Sequence, residues 1–183
     1  YLQVDHAVQR AVTAAFEDVT DEASPGHAID GCSAPNFAVS LQGFARAMAT
    51  FAAAADGTDA RQTAMVRLRE AMMAHPHLVA GEGRACTRLM RAMGPRAAIK
   101  TGAEAVFAAI VPEQRIGVAV KIADGATRAS EAVICRILVA LGLLDMRDPV
   151  AEGYMAGPIR NWRGIETGRY RLTDAVDGWC PDL

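Results

Sequence analysis

Rings are scarce in this chain: aromatic residues make up 5% of 183, with two tryptophans. Its core must come from aliphatic side chains, alanine and methionine. Net charge is also missing. At −2 overall, nothing argues for nucleic acid or an anionic membrane as partner. No apolar run reaches the ~18 residues that span a bilayer. No segment reads as a signal peptide, and four widely spaced cysteines do not read as a disulfide framework. Internal repeats and low-complexity tracts are absent. These absences leave a reduced, cytoplasmic protein as the expectation. What is present is a globular profile, 51% hydrophobic and 22% charged, in a length that suits one domain. The chain opens at Tyr1 without an initiator methionine, so a piece of something longer is expected.

Periodicity places helices first. Asp5 is positioned to cap a helix reaching about Asp21, with Val8, Val12, Phe16 and Val19 as a buried stripe. Ser24-Pro25-Gly26 ends it. Ser40 reads as the N-cap of a second helix carrying Leu41, Phe44, Ala45, Met48 and Phe51, stopped at Asp56-Gly57. A third spans about Ala60 to Ala74 and a fourth about Arg84 to Met93. Then come three short runs, Ala97–Lys100, the β-rich Glu104–Val111, and Ile116–Ile122 with its Ile and Val. Their links are too short for parallel crossovers, so an antiparallel meander is expected. An apolar helix from about Thr127 to Leu141 follows, closed by Gly142. In the tail, Asn161–Gly164 and Arg169–Leu172 read as short extended pieces, with Trp162 packed. The fold class is α+β.

Two stretches carry chemistry. Lys100-Thr101-Gly102 ends a strand, and this triplet is one mark of serine β-lactamases and penicillin-binding proteins. A strand edge holds substrate, the lysine adds positive charge, and the glycine allows close approach. Alone the triplet is weak, and an exposed turn lysine is the bland alternative. The second stretch is Asp30-Gly31-Cys32-Ser33-Ala34-Pro35-Asn36, before the second helix. An acid two residues from a thiol makes sense if something positive lies between them, such as a metal or a lysine. One cysteine does not make a zinc site, and a buried thiol in a capped loop competes with that reading. Cys135 reads as core in an apolar helix, Cys86 and Cys180 have no partner at ligand spacing, and His75-Pro76-His77 sits at a helix end. Glu104 either orients Lys100 or is an edge-strand charge.

Taken with Asp5–Gln9, His75–Gly81, Lys121–Arg128 and Asn161–Gly164, these stretches resemble the L-asparaginase II family. These are serine-lysine asparaginases with a β-lactamase-like fold and a zinc site. The resemblance covers nearly the whole chain and implies an L-asparagine amidohydrolase working through an acyl-enzyme. It implies Lys100 and Asp30 as catalytic, with Asp30 beside the metal. It implies Thr101, Gly102 and Asn36 as substrate-binding residues, and Cys32 as a zinc ligand. Two departures stand out. Neither Ser-x-x-Lys nor Cys-Ser-Gly-Lys occurs in these 183 residues. In the family both lie before the place where this sequence begins. The family also usually has aspartate at the place of Cys86, so loss of a local polar contact is expected.

The resemblance therefore covers the C-terminal half of one β-lactamase-like domain, residues 1–95 mainly helical and 96–183 sheet, closing helix and tail. A homodimer, or pairing with the missing N-terminal half, is expected. Without that half the sheet presents an open edge. Alternatives are a non-catalytic amino-acid-binding relic and a penicillin-recognising acyltransferase.

Overall fold

The computed structural model describes residues 1–179; Cys180 lies outside them. Three antiparallel strands form the central sheet: β3 (Ala98–Thr101), β4 (Val106–Val111) and β5 (Ile116–Lys121), in that order. All three fall within two residues of the expected runs. Alternation divides their side chains between two faces. Ile99, Phe107, Ala109 and Val111 face one way, into the main core with Leu89, Met90, Ile134 and Leu138. Ala98 and Ile110 face the other, against Met48, Phe51, Met72 and Met73.

Helices therefore cover both faces. α2 (Leu41–Ala53) and α3 (Ala60–Ala74) lie on one; α5 (Ala85–Met93) and α6 (Thr127–Ala140) lie on the other. Gly117 sets the approach of α2 to β5. A Cβ there would stand 2.1 Å from the Ala45 carbonyl oxygen and the Ala49 nitrogen. The short helix α4 (Pro76–Ala80) starts at the proline that ends α3, since proline suits a first helical turn.

The β3 edge is not left open. Its two outward amides, at Ile99 and Thr101, donate to sulfur atoms one helical turn apart on α5. Ile99 donates to Met90 Sδ at 3.5 Å and Thr101 to Cys86 Sγ at 3.2 Å.

Several expectations change. α1 (Ala7–Thr20) is capped by His6, whose Nδ1 accepts from Val8, rather than by Asp5. Its Val8 and Val12 are exposed, while Gln9 and Thr20 are buried. The segment between α1 and α2 is a hairpin, β1 (His27–Ile29) with β2 (Pro35–Phe37), where a capped loop was expected. Beyond α7 (Pro149–Met155), a hairpin pairs β6 (Pro158–Arg160) with β7 (Glu166–Arg169). Asn161–Gly164 is its turn, because Asn161 Oδ1 accepts from the amides of Arg163 and Ile165. That turn lifts Trp162 away from the body, 93% exposed, rather than packing it. A last short helix, α8, spans Asp174–Asp177.

Candidate functional site

Glu22, just past the end of α1, braces the residue that starts α2. Its carboxylate accepts from the Ser40 amide at 2.6 Å and the Ser40 hydroxyl at 2.7 Å. Ser40 Oγ in turn accepts from Gly43, the N-cap bond the sequence predicts. The Ser40 amide, then its hydroxyl, hold the Glu22 carboxyl below the usual range. Gly43 has no side chain because Glu22 occupies that space. Sequence reasoning missed Glu22, which lies outside every motif.

Next to this joint an open cleft of about 610 Å³ runs between the hairpin, the start of α2 and the ends of the sheet strands. Phe37 and Phe44 give it apolar walls; Asn36, Gly102, Glu104 and Lys121 give it polar ones. Two expected substrate-binding residues, Asn36 and Gly102, thus share one cavity, though 66 positions apart in sequence. Thr101 precedes Gly102 at the strand end, its amide held by Cys86. Burial pushes the Cys86 thiol up, the Thr101 hydrogen bond and the Lys100 charge offsetting part of this.

Lys100 does not line the cleft. It is exposed, and its Nζ donates to the Thr101 carbonyl at 2.6 Å. No ion pair joins it to Glu104 among the described residues. Glu104 turns instead toward the β5–α6 turn, where its Oε2 lies 2.9 Å from the place of a Gly125 Cβ. Glu104 and Ala105 both adopt left-handed backbone, φ 52° and 55°, in the tight β3–β4 turn closed by Val106 N–H to Ala103. Such turns ordinarily use Asn-Gly or Asp-Gly. Each non-glycine residue held this way costs on the order of 1 kcal/mol or more, a strain that clusters at functional sites.

Lys121 escaped sequence reasoning as a site residue, yet a signal existed. Of nineteen basic residues only two are lysines, Lys100 and Lys121. The register puts both on one face of the sheet: Lys100 pairs with Ala108, Ala108 with Ala119, and Lys121 follows two residues on.

Asp30 and Cys32 stand at the tip of the β1–β2 hairpin, both exposed, so Cys32 is not a buried thiol. The Cys32 thiol donates to Asp30 Oδ2 at 3.8 Å, and Asp30 Oδ1 accepts from Gly31 at 2.8 Å. A thiolate and a carboxylate suit zinc by type, but zinc takes four ligands. Among the described residues no group of three or more histidine, cysteine, aspartate or glutamate side chains could hold a metal. These residues alone do not fit a zinc site. The other two described cysteines are buried, and burial pushes Cys135 up to about 12, which keeps it a protonated core thiol. No helix among the described residues is long and apolar enough to cross a membrane.

No curated protein matches the chain. A family model does: residues 1–172 match that of L-asparaginase II, a span that takes in the hairpin tip, the lysine strand and the cleft between them. The chain belongs to the L-asparaginase II family.

Proposed function

We propose that the protein serves the hydrolysis of L-asparagine to aspartate and ammonia, on a β-lactamase-like scaffold. Family membership supports an amidohydrolase. The observation that carries the finer reading is the meeting of Asn36 and Gly102 in one cleft. Each comes from a separate motif, and a small amide substrate fits the space between them.

In this reading Lys100 Nζ leaves the Thr101 carbonyl and turns toward the cleft, and a serine oxygen attacks the side-chain amide carbon of asparagine and passes its proton to that nitrogen. The C–N bond breaks, nitrogen takes that proton, and ammonia leaves. Water then attacks the ester, giving aspartate and restoring the serine. The serine and its Ser-x-x-Lys lysine do not occur as a motif in these 183 residues, so the reading assigns them to the complete protein. Thr101 and Gly102 hold substrate at the strand end. Asp30 orients groups at the hairpin tip, and Cys32 is one zinc ligand of a set completed outside this chain. No step above depends on the metal.

The test is ammonia release by the complete protein from asparagine and glutamine, beside ring opening of a β-lactam, with variants at Lys100. Lys100→Ala is expected to lower asparagine turnover at least about a hundredfold, the scale of a positioned acid–base group. Lys100→Arg is expected not to restore it, because guanidinium does not lose its proton at working pH. Full activity in Lys100→Arg reduces the lysine to a fixed charge. Turnover of the β-lactam alone favours the penicillin-recognising alternative.

A further inference from the structure

Two opposite charges face the same cleft without neutralising each other. Lys121 ends β5, and Glu104 sits on the turn between β3 and β4; the two strands adjoin β4 on either side. Among the described residues neither forms an ion pair. The Lys121 ammonium uses one of its three donors, to the Ile122 carbonyl at 2.6 Å, and keeps two.

The backbone around them is committed to this placement. Glu104 adopts positive φ, which glutamate rarely does, and the next residue repeats it. Ile122 N–H donates to the Ala105 carbonyl at 3.3 Å, tying the strained turn to the residue after Lys121. Gly125 leaves room for the Glu104 carboxylate, at a position where any Cβ would meet it. In a chain that uses arginine almost throughout, this site has a lysine, a compact point charge suited to a single carboxylate in a small space.

We infer that Glu104 and Lys121 form a recognition pair for a free α-amino acid, Glu104 taking the α-ammonium and Lys121 the α-carboxylate of the substrate. An amide ligand lacking either charge leaves one of the two unpaired. This selects free asparagine over an asparagine within a peptide, whose amine and carboxyl groups are both blocked. The inference rests on the asparaginase reading and assigns its specificity to two residues outside the reacting groups.

The experiment measures KM and kcat of the complete protein on three amides: asparagine, succinamate, which lacks the ammonium, and 3-aminopropanamide, which lacks the carboxylate. Glu104→Gln and Lys121→Met are compared with the parent. Glu104→Gln is expected to raise KM for asparagine about tenfold or more, the worth of one charge-assisted hydrogen bond, and to leave succinamate unchanged. Lys121→Met is expected to do the same for asparagine and to leave 3-aminopropanamide unchanged. Both side chains are exposed, so thermal melts should match the parent. Equal losses on all three amides, or no change in KM for asparagine, overturn the pairing while the asparaginase reading stands. A parent with no activity on asparagine, but turnover of another amide, overturns that reading and this one with it.

Discussion

Glu22 joins two helices through one carboxylate, and its charge state decides whether the joint holds. Two donors from Ser40 depress its pKa, the amide first. A depressed carboxyl contributes stability above its unfolded pKa of about 4.3 and loses it as pH falls through the lower folded value. Glu22→Gln is therefore expected to lower the melting temperature at pH 7, and its effect to shrink as pH falls toward 2 and the parent's carboxylate takes up its proton. Melts across that range check this, and an equal loss at both ends removes the charge from the account. At this scale the sequence was most legible where a motif marked a residue. Asn36 and Gly102 were marked that way, and the fold brings them to one cleft. Lys121 and Glu22 were not, because the job of each is set by what folding brings opposite to it.

At the scale of elements, β-rich runs between turns were a good guide and helical periodicity a partial one. Strands β3 to β5 read clearly because β-branched residues recur between short turns. The three-residue strands β1 and β2 did not, since Pro35 and Asn36 argue against a strand locally and only pairing makes one. Val8 and Val12 do share a face, as their spacing says. Periodicity cannot say whether another element covers that face, and here none of the described residues does so fully. The packing of α2 on β5 depends on a missing side chain. Gly117→Ala puts a methyl into the α2 backbone and is expected to cost about 1–3 kcal/mol. For a chain of this length that lowers the melting temperature by several degrees. Gly153→Ala is the control: it lies within α7, nothing stands within 4 Å of its Cβ, and alanine favours helix. Shifts of the same sign in both variants would mean that close approach is not the cause at Gly117.

For the molecule as a whole, metal binding is a sum over donors that the described residues do not complete. A single ligand, Cys32, at the hairpin tip predicts that the 183 residues, dialysed after zinc loading, keep well below one zinc per chain. The complete protein is expected to hold one. Cys32→Ser should remove that zinc without unfolding, because the side chain is exposed and the hairpin closes through backbone pairs. Asp30→Ala should weaken it by roughly 10- to 100-fold, as a group orienting a ligand does. Metal content by mass spectrometry beside a circular-dichroism melt decides. A Cys32→Ser protein that keeps its zinc excludes the thiolate as a ligand. The hairpin of β6 and β7 also determines how any of these melts can be observed. Trp162 is 93% exposed on its turn and Trp179 is 41% exposed, so both indoles already sit partly or wholly in water when the chain is folded. Trp162 emission will therefore change little as the core opens, leaving the half-covered Trp179 to report unfolding, while a quencher dissolved in the buffer will reach Trp162 in the native protein almost as easily as in the denatured one.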